Sequence, residues 1–138
     1  MMRGDRISFL AGKARVAFSL LNPGELRARF SRCPDCGPTL VMKLADNAIS
    51  VRCARCGASA IHMSIMQALQ QLYPDLSRLS VYEMSSRGPL FVYLRDRAGR
   101  LVYSEFFDDV APGAFRREVQ CQDVQALTYD DASFDLCT

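Results

Sequence analysis

The chain has 138 residues, of which 49% are hydrophobic and 23% charged, and this composition is typical of a globular domain rather than a disordered or fibrous chain. Its longest uncharged apolar run, residues 16–21, is far shorter than the ~20 residues that cross a bilayer, so a transmembrane segment is excluded. The net charge of +2 is spread unevenly, with +5 over residues 1–32, +3 over 33–104 and −6 over 105–138, which argues against a single basic nucleic-acid-binding domain.

Residues 1–32 form the first predicted region, a basic amphipathic helical segment. Apolar residues recur there at helical spacing, and Pro23 and Gly24 end the helix. Three interpretations are open: a helix packed on the rest of the protein, a membrane-surface or partner-binding helix, and an organelle-targeting segment, which Asp5 and the scarcity of serine disfavour. The apolar positions are Ile7, Leu10, Ala14, Phe18 and Leu21.

Residues 33–57 contain two Cys-x-x-Cys pairs separated by sixteen residues, which is the spacing of a zinc ribbon. Each two-residue gap lets one tight turn present two thiolates to the same Zn²⁺, and Gly37 and Gly57 follow as residues that tolerate positive φ. Two short strands, 39–44 and 48–52, are predicted around a turn at 46–47. Four thiolates close the coordination sphere, so the predicted zinc is structural. The predicted ligands are Cys33, Cys36, Cys53 and Cys56.

Cysteine usage also bears on compartment and partners. Paired metal-binding cysteines without a preceding signal peptide favour a reducing, cytoplasmic compartment over disulfides. Arginines flank the module, but no aromatic residue lies between Cys33 and Cys56 to stack on bases, so nucleic acid is disfavoured. His62 is the only histidine, and it is expected to be a packed or surface imidazole rather than a ligand or base.

Residues 58–138 alternate helices and strands with short links, which predicts an α/β fold with a parallel sheet and right-handed crossovers. Ligands of such sheets bind at the carboxyl ends of the strands, and these ends carry Glu83, Glu105 and Asp123. Carboxylates there can accept hydrogen bonds from the amine and hydroxyls of a nucleoside. The predicted helices are 58–72 and 89–96, and the predicted strands are 78–83, 100–107, 116–123 and 133–138. The apolar stripe of the first helix is expected to pack in the core: Ile61, Ile65, Leu69 and Leu72, widened by Met66 and Ala68. Cys121 is expected in the core, and so is Cys137 if the fourth strand is covered.

Four sequence phrases in this region resemble class I S-adenosylmethionine-dependent methyltransferases, in particular a subgroup with an N-terminal cysteine module. They are Val-Tyr-Glu-Met-Ser-Ser-Arg-Gly-Pro at 81–89, Tyr-Ser-Glu-Phe at 103–106, Gln-Asp at 122–123 and Leu-Thr-Tyr-Asp-Asp-Ala-Ser-Phe-Asp-Leu at 127–136. The last phrase is the most specific. The resemblance covers residues 58–138 and implies a partial Rossmann-like, cofactor-binding domain after the zinc ribbon.

By position, the resemblance implies a cofactor site. Glu83, Ser85 and Gly88 would lie in the loop beside the methionine part of S-adenosylmethionine. Glu105 would bind the ribose hydroxyls, and Asp123 with Val124 would contact the adenine. Catalysis in this family is largely positioning, because the sulfonium is already activated. No catalytic residue or methyl acceptor follows from the sequence.

Two departures from the family pattern qualify this expectation. The loop keeps the acid and one glycine of the family, has two small serines, and places Arg87, which could meet a carboxylate, where a small residue is usual. The chain stops at Thr138, near the fourth strand, which predicts a fragment, a sheet edge covered by a partner or second copy, or a non-catalytic relic. We expect this chain alone to be inactive or weakly active.

Other functions remain open. A non-catalytic zinc-ribbon interaction module with a βα scaffold is the main alternative, and an oxidoreductase that uses a dinucleotide is disfavoured because Gly-x-Gly-x-x-Gly is absent. The acids also have simpler explanations: Glu83 as a strand-end cap, Asp123 as a turn cap and Glu105 as part of a solvated loop face.

Overall fold

The structure is a computed structural model that describes Gly24 and residues 26–138. The chain divides into two compact units, Met1–Met63 and Ser64–Thr138. The predicted amphipathic helix over residues 1–21 lies outside the described residues. Within the described part of the chain, none of the helices has the length and apolar character needed to cross a membrane.

The first unit contains a three-stranded antiparallel sheet in the order β1-β2-β3, formed by β1 (Arg27–Cys33), β2 (Gly37–Lys43) and β3 (Val51–Cys53). The predicted hairpin corresponds to β2 and β3, although residues Ala48–Ser50 form a 3-10 turn before β3 instead of its first half. β1 was not predicted. Residues 27–32, assigned to the helical segment, are strand because they pair with β2 along its whole length.

Helix α1 (Ala60–Leu72) confirms the predicted helix, starting two residues later. Of its predicted apolar stripe, Met66 and Leu69 are buried. The prediction of core packing is wrong for Ile61 and Leu72, whose exposed fractions are 57% and 71%. Helical spacing gives the face on which a residue lies, but only tertiary contacts decide how much of that face is covered.

The second unit contains a five-stranded, mostly parallel sheet in the order β6-β7-β5-β4-β8. β4 pairs in parallel with β5 and β8, and β5 pairs in parallel with β7. β6 is antiparallel to β7, so the prediction of an all-parallel sheet is wrong at this edge. The strands are β4 (Ser80–Glu83), β5 (Arg100–Glu105), β6 (Phe115–Arg116), β7 (Val119–Cys121) and β8 (Leu136–Cys137).

The predicted third strand, 116–123, is interrupted. Arg117 adopts φ 58°, and a two-residue turn folds the segment into the β6–β7 hairpin. The predicted fourth strand, 133–138, is reduced to β8, whose Cys137 is exposed rather than part of the core. Cys121 is buried as predicted, and its thiol donates to the carbonyl oxygen of Val110 at 3.2 Å.

Helix α2 (Pro89–Arg95) connects β4 to β5, as predicted. Gly88 precedes it with φ 99°, and Pro89 suits the first helical position because its missing N–H has no partner to lose there. Gly99 ends the connection, and a Cβ at this position would lie 2.1 Å from the carbonyl oxygen of Ser77. Glycine is therefore required where the chain turns from α2 into β5.

The core of the second unit surrounds β4 and α2. Val81, Tyr82, Tyr93 and Leu94 are almost completely buried. The Tyr82 hydroxyl is hydrogen-bonded to Ser104 Oγ at 2.6 Å, so the buried polar group is satisfied, and the Tyr82 ring stacks on Phe134. This packing fixes β4 between β5 and β8, with its carboxyl end beside the ends of these two strands.

Candidate functional site

The four predicted ligand cysteines come together in the first unit. The four Sγ atoms lie within 4.8 Å of one another, with Cys33 and Cys56 3.7 Å apart and Cys36 and Cys53 4.0 Å apart. A tetrahedron of sulfur ligands at about 2.3 Å from a metal has edges of about 3.8 Å. The thiols are free rather than disulfide-bonded, so this cluster could hold a metal ion such as zinc.

Local structure explains why the cysteines converge. Cys33 ends β1 and Cys53 ends β3, so antiparallel pairing with β2 brings two thiols to one end of the sheet. Gly37 and Gly57 follow the second cysteine of each pair with φ 75° and 74°, and these turns bring Cys36 and Cys56 to the same point. The Gly57 amide donates to the Cys53 carbonyl oxygen at 2.9 Å.

The thiols differ in their electrostatic surroundings. Burial by itself would raise the pKa of Cys53, but backbone N–H groups of Cys56 and Arg55 outweigh it and lower this pKa to about 6. Burial raises the pKa of Cys36 and that of Cys56, the latter to about 11. A crowded group of thiols holds its protons more tightly than a single thiol because thiolates repel one another.

His62 caps α1 and is not part of the cysteine cluster. Its Nδ1 accepts from the Ser59 amide at 3.3 Å, while its own amide donates to Ser59 Oγ at 3.2 Å. This reciprocal pair of hydrogen bonds satisfies two of the backbone N–H groups that have no partner within the helix at its N-terminus. Burial, aided by the charge of Arg52, lowers the pKa of His62, so the imidazole is neutral near pH 7. His62 is half-buried, and the prediction was of a packed or surface imidazole.

A second candidate site lies at the carboxyl ends of the parallel strands. A cavity of about 600 Å³ opens there. Of the predicted cofactor residues, Glu105, Asp123 and Val124 line it. The other lining residues were not predicted to contact the cofactor, although all but Gln125 belong to the sequence phrases that resemble methyltransferases: Tyr82, Met84, Ser104, Phe106, Gln122 and Gln125. Met84 and Phe106 each directly follow an acid at a strand end, and this position in the sequence could have identified them as site residues.

Glu105 is held by the loop that follows β4. Its Oε1 accepts hydrogen bonds from the Ser86 amide at 3.0 Å and the Ser86 hydroxyl at 2.8 Å, and lies 3.4 Å from Ser85 Oγ. Burial would raise the pKa of Glu105, but the Ser86 donors and the nearby Arg87 guanidinium outweigh it and lower this pKa. Glu105 is therefore ionised at neutral pH, and no described residue donates to its Oε2.

The other predicted cofactor residues occupy different places. Glu83 is buried, and burial raises its pKa although its Oε2 accepts from the Thr138 hydroxyl. Gly88 is exposed at the start of α2 and, like Glu83 and Ser85, does not line the cavity. Asp123 caps the following turn, since its Oδ1 accepts from the Gln125 amide at 2.9 Å.

Gln122, which also lines the cavity, connects the ends of two strands. It is 3% exposed, its amide donates to the Glu105 carbonyl oxygen, and its side chain pairs with Thr128 through hydrogen bonds in both directions. The ends of β5 and β7 are thereby tied together, and the two carboxylates face one cavity.

Neither the known protein families, the curated proteins nor the solved structures contain a significant match to this chain. Function must therefore be inferred from the chain's own residues.

Proposed function

We propose that residues 58–138 form the S-adenosylmethionine-binding part of a methyltransferase-like, Rossmann-like domain. The observation that carries this proposal is the strand order around β4. The first strand of the sheet, β4, has the second strand on one side and the last strand on the other. At such a reversal of strand order, open α/β sheets bind ligands outside the carboxyl ends of the strands.

The lining of the strand-end cavity suits an adenosine group. Ribose hydroxyls and an adenine amine are donors, and Glu105 and Asp123 present acceptors. The flat faces of adenine are apolar, and three apolar side chains at the cavity are 47%, 59% and 65% exposed: Met84, Phe106 and Val124. Covering these side chains with a base would remove apolar surface from water.

The cofactor would supply a methyl group on an activated sulfonium. The residues of this chain would bind and orient the adenosine end, which lowers the entropic cost of bringing methyl group and acceptor into line. Glu105 is pre-positioned for this role, because the Ser86 donors already fix its carboxylate. The acceptor is not defined by any described residue, and turnover by this chain alone is expected to be weak or absent.

For the first unit, we propose that residues 33–57 are a zinc ribbon with a structural Zn²⁺. The four sulfurs fit the tetrahedron that the ion requires, and four thiolates leave no open position for a reacting ligand. Free thiols in this arrangement persist in a reducing compartment, which supports a cytoplasmic location.

Pairing of a partner chain or a second copy with an edge of the five-stranded sheet is a further proposal. The edges of the five-stranded sheet are β6 and β8, each two residues long. Edges this short offer few free backbone groups for pairing.

The test of the cofactor proposal is calorimetric titration of the zinc-loaded chain with S-adenosylhomocysteine. We expect micromolar binding, and we expect the double variant Glu105→Ala, Asp123→Ala to lose it because both acceptors are removed. Asp130→Ala, Asp131→Ala is the matched control, since it removes two exposed acids that do not line the cavity. Absence of binding by the unmodified chain, or equal binding by both double variants, would contradict the proposal.

A second candidate function, a binding module for a nucleic-acid partner, is favoured by the outer face of the three-stranded sheet. Phe30, 75% exposed, lies opposite Leu40, 49% exposed, and the alternation of β1 places Arg32 on the same face. An exposed aromatic ring beside an arginine can stack on a base while the cation neutralises a phosphate. The prediction against nucleic acid was based on the lack of an aromatic residue between Cys33 and Cys56. Phe30, which precedes Cys33, supplies an aromatic ring on this sheet.

Fluorescence anisotropy with a labelled single strand of about 15 nucleotides tests this alternative. A binding module predicts affinity that falls steeply with salt and weakens in Phe30→Ala. Phe115→Ala is the control, because Phe115 is similarly exposed at 64% but lies in the other unit. Salt-independent or undetectable binding would argue against this alternative without affecting the cofactor proposal.

A further inference from the structure

The loop between β4 and α2 places a positively charged side chain, that of Arg87, at the edge of the candidate cofactor site. Residues 84–88 fold over the end of β5, and the Ser86 donors attach the loop to Glu105. Arg87 is thereby placed beside the same carboxylate, with its Nε 3.6 Å from Glu105 Oε1. Its position follows from the loop, since Gly88 turns the chain directly into α2.

Arg87 contributes little to holding Glu105. The 3.6 Å separation is longer than a hydrogen bond, and the Arg87 side chain is 85% exposed. Exposed pairs of this kind are weak because water screens them and because the long side chain loses freedom. Glu105 Oε1 already has the two Ser86 donors, so the carboxylate stays fixed if Arg87 turns away.

The cavity otherwise lacks positive charge. None of its lining residues is a lysine, arginine or histidine, and two are carboxylates. Arg116 of the β6–β7 hairpin is paired with Asp109, and its guanidinium lies over the ring of Phe107. Among the described residues that contact the strand-end acids, Arg87 is the cation that could receive an anionic group of a ligand.

We propose that Arg87 exchanges partners on binding, from Glu105 in the free protein to the carboxylate of an amino-acid-bearing nucleoside. This inference deepens the proposed function and rests on it. The guanidinium fork can donate two parallel hydrogen bonds to a carboxylate, which is stronger and more directional than its long contact with Glu105. Arg87 thus selects ligands that carry both adenosine and a free carboxylate over nucleosides that lack the carboxylate.

Two ligands separate the adenosine end from the carboxylate end. S-adenosylhomocysteine has both, whereas 5′-methylthioadenosine keeps the adenosine and thioether and lacks the amino-acid group. In calorimetric titrations the unmodified chain should bind S-adenosylhomocysteine about tenfold to a hundredfold more tightly, as expected for hydrogen bonds between charged groups. Arg87→Gln should lose most of this preference and bind 5′-methylthioadenosine with unchanged affinity. Arg87→Lys should keep part of the preference, because it retains the charge without the fork.

Arg95→Gln is the matched control. It removes another exposed arginine, paired with Asp96 at 3.0 Å on α2, that does not line the cavity. Retained 5′-methylthioadenosine binding also shows that a variant is folded. A preference that persists in Arg87→Gln, or that is absent from the unmodified chain, would overturn the role of Arg87 while leaving the cofactor proposal intact. Failure of both nucleosides to bind the unmodified chain would overturn both.

Discussion

The two units bury different kinds of side chain. Between Arg27 and Ser59 the buried residues are small, polar or sulfur-containing, with Val41 as the largest aliphatic group. The second unit instead buries large aliphatic and aromatic groups. The first set is Cys33, Thr39, Val41, Cys53, Ala58 and Ser59; the second includes Met66, Leu69, Leu76, Val81, Tyr82, Leu90, Tyr93 and Leu94.

This contrast teaches where folding energy comes from in each unit. Among the described residues of the first unit, the buried side chains are too few and too small to offset the loss of chain entropy, so we expect a bound metal to supply the difference. The second unit has an ordinary hydrophobic core and can place polar groups, such as Glu105 and Asp123, at the open end of its sheet. The two units should therefore respond differently to metal removal and to core mutations.

The largest expected effect is loss of the metal. Cys53→Ser or chelation should unfold the three-stranded sheet, because Zn²⁺ binding supplies about 10 kcal/mol or more to folds of this kind. Absorption of the Co²⁺-substituted chain reports the first unit. All five tyrosines lie in residues 64–138, so tyrosine fluorescence reports the second unit and should change little. Cys137→Ser, which removes an exposed thiol outside the cluster, should bind one metal per chain as before.

A core mutation should give the opposite pattern. Leu94→Ala removes a completely buried side chain and should cost the second unit about 2–5 kcal/mol, measured by urea unfolding with tyrosine fluorescence. Val92→Ala on the same helix, at a position 39% exposed, should cost far less. Metal affinity should be unchanged in both variants. A matching loss of metal affinity in Leu94→Ala would show that the units fold together.

The two strand-end glutamates should shift stability with pH in opposite directions. The pKa of Glu105 is lowered, so its ionised form adds stability above about pH 4.5 that is lost as pH falls through the lowered value. Glu105→Gln should therefore destabilise the second unit by about 1–2 kcal/mol at pH 7, and the difference should shrink below pH 4.5. Thermal unfolding at pH 3, 5 and 7 measures this difference.

Glu83 is the counterpart. Its pKa is raised, so its protonated form adds stability at low pH that is lost as pH rises through the raised value. Glu83→Gln mimics the protonated form and should raise the melting temperature at pH 7 by a few degrees while changing little at pH 3. A lower melting temperature at pH 7 would mean that the ionised carboxylate has stabilising contacts.

The smallest effect is expected from a substitution in one of the turns that follow the cysteine pairs of the first unit. Gly57 has φ 74°, and a Cβ there would meet nothing within 4 Å, so Gly57→Ala should cost only the backbone penalty of about 1 kcal/mol. Competition with a chelator should show a metal affinity weaker by roughly fivefold to tenfold. An unchanged affinity would mean that the turn relaxes without moving Cys56.

Several elements were predictable because their signals are local. The spacing of the four cysteines, the loop and proline before α2, and the acids at the ends of β4 and β5 all depend on residues close in sequence. β1 was missed because its strand conformation comes from pairing with β2 over a stretch rich in arginine. The break in the third predicted strand depends on one residue, Arg117, whose positive φ no sequence rule anticipates.

In the candidate site, too, some features follow from local sequence and others from contacts between distant segments. Glu105 was predicted from its position at a strand end, but its attachment to Ser86 depends on how the 84–88 loop folds back across nineteen residues of sequence. Phe106, although part of the Tyr-Ser-Glu-Phe phrase, was not predicted to contact a ligand, because it becomes part of a site only where the ends of neighbouring strands meet.

The sequence by itself determined the candidate metal-ligand set, the alternation of helices and strands after residue 58, and the acids that end the strands, because spacing and periodicity are properties of neighbouring residues. Tertiary structure decided the strand order around β4, the pairing that makes β1 a strand, and the placement of Arg87 beside Glu105. These features arise from contacts between segments far apart in the chain, and such contacts are set by packing and hydrogen bonding of the whole unit.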